Sequence, residues 1–140
     1  MISIIIEAAE NFLHNQIELE TKRVDELSQM RTVVASIGVK MDDGEVKSVY
    51  LGYNVALLSQ IVSVYLMEDE ADEQTMIDMA LEATNMIVGS AKVLAEEAEK
   101  EHFMITTPTF ERIEDFDCCE CSEYSILQTA KEGLVIAIKG

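Results

Sequence analysis

A long segment with helical periodicity, from about Glu73 to about Glu99, is the sequence feature that most constrains the fold. When it is projected at about 100° per residue, one stripe is apolar or small, and we expect that stripe to be buried. Its members are Ile77, Leu81, Thr84, Val88, Ala91 and Ala95. The sequence therefore predicts a long amphipathic helix that packs on the rest of the domain along one side.

A second stripe of the same helix is polar. Its members, spaced at one-turn intervals and within roughly 60° of each other, are Asp78, Glu82, Asn85 and Gly89. Asparagine and glycine each weaken a helix by up to about 1 kcal/mol relative to alanine, so helix stability does not explain positions 85 and 89. Gly89 removes a side chain where another backbone or a partner could approach closely. This stripe is either a functional site or a chance feature of an exposed helix, and the pattern alone favours neither.

Apolar residues spaced by three and four predict a first helix from Ile4 to Leu13. Alternating apolar and polar residues then predict three strands, which we expect to lie antiparallel, at 17–24, 32–40 and 45–53. The turn between the last two strands contains Asp42, Asp43 and Gly44.

Asn54 is predicted to cap a second helix that ends near Met67, because its side-chain oxygen can accept from free N–H groups of the first turn. After the long helix, three further strands are predicted within 103–115, 125–132 and 133–139, with Glu132 and Gly133 closing the last hairpin. The predicted order is α-βββ-α-α-βββ. We therefore expect a single α+β domain over residues 1–140, an antiparallel sheet with helices packed on one face.

The chain is strongly acidic. Ten Lys and Arg residues stand against 27 Asp and Glu residues, which gives a formal net charge of −17. Such a surface repels phosphate backbones and anionic lipid headgroups, so nucleic-acid and membrane-surface binding are disfavoured. The longest apolar runs are much shorter than the roughly 20 residues of a membrane-crossing helix, and the start lacks the features of a secretory signal. We expect a cytoplasmic protein.

Three cysteines crowd into one acidic segment, at Cys118, Cys119 and Cys121. An odd, clustered set does not indicate a disulfide framework. Three thiolates could hold zinc or copper with a fourth ligand from elsewhere, but the spacing fits no familiar site, so a loop in a reducing compartment is the favoured interpretation. His14 and His102 have no catalytic partner nearby in the sequence.

The polar stripe belongs to a longer pattern, in which Asp78-x3-Glu82-x2-Asn85 is followed after twenty-two residues by Pro108, the only proline in the chain. This pattern resembles the signature of the CheC/CheX/FliY chemotaxis phosphatases. The segments "EATNMIVGSAK" and "TTPTF" are similar to the CheX branch in particular, and so is the presence of one copy of the site rather than two. The resemblance therefore identifies a CheX-like chain.

The resemblance implies an enzyme that removes phosphate from the aspartyl phosphate of a CheY-like response-regulator receiver domain. Asn85 would orient the attacking water and Glu82 would pair with a lysine of the receiver, while Asp78, Gly89 and Pro108 would border the contact. Such an enzyme has no cofactor of its own, because the receiver supplies Mg²⁺. It also implies a homodimer.

Two alternatives remain open. The same helix face could serve a non-catalytic adaptor that binds a receiver or motor protein without hydrolysing phosphate. The cysteine cluster could instead make the chain a metal-responsive module. Direct hydrolysis by this chain alone is disfavoured, since the sequence has no glycine-rich phosphate loop and no arginine on the polar face of the long helix.

Overall fold

The computed structural model describes residues 1–24, 31–67, 72–99, 102–115, 123–129 and 132–139. The helices are α1 (Ile2–Asn11), which continues as a π-helical turn over Phe12–Gln16, α2 (Val55–Leu66) and α3 (Glu73–Glu97). The strands are β1 (Lys22–Val24), β2 (Arg31–Met41), β3 (Val46–Asn54), β4 (Phe103–Ile105), β5 (Thr109–Asp115), β6 (Glu123–Gln128) and β7 (Gly133–Lys139).

Within the described residues, seven strands form one antiparallel sheet in the order β1-β6-β7-β3-β2-β4, with β5 also paired to β2. The α+β class is confirmed, and the order of helices and strands agrees with the prediction up to β4. The C-terminal part contains four strands rather than three, because residues 106–108 interrupt the predicted strand 103–115 and separate β4 from β5. Pro108 lies in this interruption, where its missing N–H group removes no ladder hydrogen bond.

The first predicted strand differs most from the prediction. Only Lys22–Val24 of segment 17–24 is extended, and this strand pairs with β6 at the sheet edge instead of with β2. Strands β2 and β3 do pair antiparallel, as predicted, from Thr32 opposite Asn54 to Lys40 opposite Val46. Alternation identifies a strand but not its neighbour, which depends on which edge the packed helices leave accessible.

Helices α2 and α3 both begin at polar caps. Asn54 accepts hydrogen bonds from the backbone N–H groups of Ala56 and Leu57, at 3.0 and 3.3 Å, so the predicted cap of α2 is confirmed. Asp72 caps α3 by accepting from the N–H of Thr75 at 2.8 Å, and this bond lowers the pKa of the Asp72 carboxyl. The ionised carboxylate of Asp72 therefore stabilises the N-terminus of α3.

The buried face of α3 is wider than the predicted stripe and turned relative to it. Thr84, Val88, Ala91 and Ala95 are buried as predicted, but Ile77 and Leu81 are only half-buried. The other buried members are Met76, Met79, Ala80, Ala83 and Ile87. The cause is that α3 contacts α1, α2 and β2, so it is enclosed on more than one side.

In the part of the chain that the structure describes, no helix combines the length and the apolar character that crossing a bilayer requires.

One polar pair joins α3 to the sheet inside the core. The hydroxyl groups of Tyr53 on β3 and Thr84 on α3 lie 2.9 Å apart, and both residues are completely buried. A buried hydroxyl without a partner costs about 1–3 kcal/mol, so each group depends on the other. This hydrogen bond fixes α3 at the position next to Asn85.

Burial raises the pKa of Tyr53 well above its ordinary value, and the hydrogen bond with Thr84 offsets only part of that change. In the unfolded chain a tyrosine ionises near pH 10, whereas the folded chain keeps this proton. The stability due to this group is therefore fully present below about pH 10 and falls as the pH rises further, by up to about 1.4 kcal/mol per pH unit.

Denaturant unfolding between pH 8 and pH 11 tests this dependence. The free energy of unfolding of Tyr53→Phe should fall less steeply with rising pH than that of the parent. The matched control is Tyr124→Phe, whose ring is exposed, and equal slopes for Tyr53→Phe and the parent would contradict this account.

Candidate functional site

A groove separates α3 from the segment that joins β4 to β5. Its volume is about 630 Å³ and its lining consists of Asp78, Leu81, Glu82, Asn85, Ile105, Thr106, Thr107 and Pro108. Four of the five residues predicted for the site thus lie around one open groove, with three on the helix and Pro108 on the opposite wall. The fold brings together Asn85 and Pro108, which are separated by twenty-two intervening residues in the sequence.

The three polar residues of α3 in this groove are all exposed. Asp78 is held in place, because its Oδ1 accepts a hydrogen bond of 2.9 Å from Gln74 Nε2 one turn earlier. Glu82 and Asn85 form no side-chain hydrogen bond or ion pair with any other described residue. A carboxylate and an amide that no internal group engages are available to a partner molecule.

The charge of the groove is negative. Asp78 and Glu82 contribute two carboxylates, and no lysine or arginine is among the described residues that line it. The field of Glu82 extends to Tyr65 on α2, whose pKa is raised first by burial and second by this carboxylate. A cationic group that approaches Glu82 is attracted to the carboxylate, whereas a bare phosphate is repelled.

Gly89 lies one helical turn beyond Asn85 and does not line the groove. It is half-buried, and a Cβ atom placed on it would meet nothing within 4 Å. The ridge formed by Asp78, Glu82, Asn85 and Gly89, which we call the α3 ridge, is therefore uncovered at its far end. The packing of this chain does not require a glycine there, and its role in a partner contact stays a prediction.

Sequence reasoning missed several residues of the groove. Leu81 was assigned to the core, yet its half-buried side chain lines the helix side. Ile105, Thr106 and Thr107 precede Pro108 on the opposite wall. The two threonines belong to the segment "TTPTF" that resembles the CheX branch, but no role was predicted for any of the three.

The other predicted features lie elsewhere. Cys118, Cys119 and Cys121 fall outside the described residues. His14 is exposed, with its Nδ1 3.0 Å from Asn15 Oδ1, and His102 is exposed at the start of β4. Among the residues that the structure describes, no cluster of three or more His, Cys, Asp or Glu side chains could hold a metal ion.

Comparison with known proteins shows the family of the chain. The family model described as chemotaxis phosphatase CheX matches residues 33–137, which include the whole of α3 and the groove. The chain belongs to the CheX family. The predicted family and its CheX branch are thereby confirmed. No curated protein sequence matches this CheX-family chain.

Several solved structures share the fold. The chemotaxis protein CheX from Vibrio vulnificus is 22% identical with a TM-score of 0.82, over 99% of this chain and 94% of that one. CheX from Desulfovibrio desulfuricans is 16% identical with a TM-score of 0.71, over 97% and 95%. CheX from Borrelia burgdorferi, solved in a complex with CheY, BeF3 and Mg²⁺, is 19% identical with a TM-score of 0.68, over 99% and 97%. At these identities the likeness extends to the fold alone.

The open space at Gly89 leads us to predict that an alanine at this position stabilises this CheX-family chain. Gly89→Ala should raise the free energy of unfolding by about 0.5–1 kcal/mol, because alanine restricts the unfolded chain and favours the helix. Chemical denaturation measures the change. The contrasting control is Gly38→Ala, where the new Cβ would lie 3.0 Å from Thr106 Oγ1 and should confer no such gain. A loss of stability in Gly89→Ala would show that the α3 ridge is more crowded than described.

Proposed function

We propose that this chain dephosphorylates the aspartyl phosphate of a CheY-like response-regulator receiver domain. The observation that carries the proposal is the pair Glu82 and Asn85, which are exposed, form no side-chain hydrogen bond or ion pair with another described residue, and line one groove with Pro108. Asn85 would orient the attacking water and Glu82 would pair with a lysine of the receiver. Asp78, Gly89 and Pro108 would border the contact.

The amide of Asn85 suits the reaction. Phosphoryl transfer needs little covalent chemistry from the protein, so catalysis consists mainly of placing the nucleophile in line with the leaving oxygen. An amide both donates and accepts hydrogen bonds, and it can therefore fix a water in two directions. An exposed side chain on a helix can enter the active site of another protein, which a buried residue cannot.

The electrostatics of the groove favour a substrate that brings its own cations. With two carboxylates and no basic residue in the lining, the groove repels a free phosphate. A phosphorylated receiver avoids this repulsion if its lysine meets Glu82 and its own Mg²⁺ neutralises the phosphoryl group. We therefore propose that this chain supplies no cofactor and that the receiver provides the metal.

The structure of a relative supports the proposal that the partner is a receiver domain. CheX from Borrelia burgdorferi was solved in a complex with CheY, BeF3 and Mg²⁺, and we extend a CheY-like partner to this chain on that basis. The proposal also places the chain in the cytoplasm with its partner. The non-catalytic adaptor remains the second candidate, since an exposed ridge can dock on a receiver without aligning a water.

The catalytic claim is tested by phosphate loss from purified, phosphorylated receivers of the same organism. The parent should accelerate the loss for at least one receiver. Asn85→Ala should reduce kcat by about a hundredfold or more, because a misplaced water loses in-line alignment. Glu82→Gln should mainly raise KM, because it removes a charge pair with the receiver.

Glu97→Gln is the matched control, because Glu97 is also an exposed carboxylate of α3 but lies far from the groove. Its kinetics should equal those of the parent. If Asn85→Ala is as active as the parent, the assignment of the water-orienting amide is wrong. If the parent binds a receiver and leaves its phosphate lifetime unchanged, the adaptor is correct instead.

Family resemblance also leads us to propose a homodimer. Light scattering at working concentration should give twice the mass of one chain. A single-chain mass that persists as the concentration is raised would contradict the dimer, and it would leave the phosphatase proposal to be judged by kinetics alone.

A further inference from the structure

The wall of the groove opposite α3 is built by one extra residue in the sheet. Val39 of β2 pairs with Ile105, and Ser36 of β2 pairs with Thr109. Between these two pairs β2 advances by three residues (39 to 36), whereas the opposing chain advances by four (105 to 109). An extra residue of this kind bows one chain out of the ladder and re-aims its side chains. The bowed residues are Thr106, Thr107 and Pro108, and all of them line the groove.

Two hydrogen bonds hold the bowed segment to a single residue of β2. The Thr106 N–H donates to the carbonyl oxygen of Gly38 at 3.0 Å. The Gly38 N–H donates in return to the side-chain Oγ1 of Thr106 at 2.8 Å. In a regular antiparallel ladder a backbone carbonyl of the opposing strand would accept from that N–H. The hydroxyl of Thr106 takes the place of a backbone acceptor at the point where the ladder is broken.

The fit between these two residues is tight enough that a side chain at position 38 would displace Thr106. A Cβ atom there would lie 3.0 Å from Oγ1 and 3.1 Å from Cγ2 of Thr106, closer than ordinary contact. An isolated glycine inside a strand commonly marks a close approach of this kind. Gly38 and Thr106 therefore form a complementary pair, which we call the Gly38–Thr106 clamp.

Loss of the Gly38–Thr106 contact would not leave the threonine hydroxyl buried without a hydrogen-bond partner. Thr106 is exposed, so water can satisfy its hydroxyl if the contact with Gly38 is lost. The fold would then lose little stability, but the segment that carries Thr107 and Pro108 would keep only one of its two hydrogen bonds to Gly38, the backbone bond from the Thr106 N–H. What the clamp determines is the position of one wall of the groove relative to Asn85 on the other.

We propose that Thr106 is a positioning residue for the receiver contact, its hydroxyl held by Gly38 so that Thr107 and Pro108 meet the receiver while Asn85 enters its active site. This inference rests on the proposed function. It assigns a role in binding and not in chemistry, because the water-orienting amide lies on α3 and keeps its place when the opposite wall moves.

The test compares Thr106→Val, which keeps the shape and loses the hydroxyl, with Thr106→Ser, which keeps the hydroxyl. Kinetics with a phosphorylated receiver should show KM raised about fivefold to tenfold in Thr106→Val, with kcat within about twofold of the parent. Thr106→Ser should match the parent within about twofold in both parameters. Gly38→Ala should raise KM as well, and its effect should be largely absent when Thr106→Ala is present in the same chain, because the crowding atoms are gone.

A second measurement reports on the clamp without a receiver. Amide hydrogen exchange at Gly38 should be slow in the parent and in Thr106→Ser and faster in Thr106→Val, since the acceptor is lost only in the last variant.

The outcomes separate the two levels of the proposal. A parent that accelerates phosphate loss from no receiver refutes the proposed function and the positioning role with it. An active parent whose Thr106→Val variant has an unchanged KM refutes the positioning role alone. A fall in kcat at constant KM, or equal impairment by Thr106→Val and Thr106→Ser, would also overturn it, because the hydroxyl would not then be acting through binding.

Discussion

The packing of α3 into the core is the constraint on which the rest of the structure depends. Its buried face includes Ala80, Ala83 and Ala91, whose small side chains allow the helix to approach its neighbours closely. The hydrogen bond between Tyr53 and Thr84 adds a directional contact to that face. The consecutive buried pairs Met79–Ala80, Ala83–Thr84 and Ile87–Val88 occupy one side of α3. At about 100° per residue, Asp78, Glu82 and Asn85 then fall on the exposed side.

Exposure and acidity of the candidate site both support the proposal that it acts on a partner. A ridge with two carboxylates cannot concentrate a free phosphate, and the net charge of −17 extends the same repulsion over the whole surface. The chemistry available to the chain is geometric, namely an amide that can hold a water and a carboxylate that can receive a cation. The remaining groups that phosphoryl transfer requires, a metal ion and a basic residue, are those that a receiver can bring.

The sequence predicted the helix side of the site much better than the strand side. Periodicity located α3 and the polar stripe, since side-chain spacing on a helix is a local property. It placed Ile77 and Leu81 in the core, because a single stripe cannot anticipate contacts with α1, α2 and β2 at once. The family pattern indicated Pro108 but not why it lies opposite Asn85. That arrangement depends on the pairing of β2 with two separate strands and on the fit of Thr106 against Gly38, neither of which is visible until non-local partners are known. The edge position of β1 was not predicted either, because it also depends on a non-local partner, β6.

The most direct test of the account is a crystal structure of this chain with a receiver domain held in its active form by beryllofluoride and Mg²⁺. The account predicts that the α3 ridge lies across the receiver active site, with the Asn85 amide within about 3 Å of a water or fluoride on the side of the beryllium opposite the aspartate. It also predicts Glu82 in contact with a receiver lysine and Pro108 at the border of the interface. A complex in which the receiver docks on another surface and leaves Asn85 in solvent would contradict it.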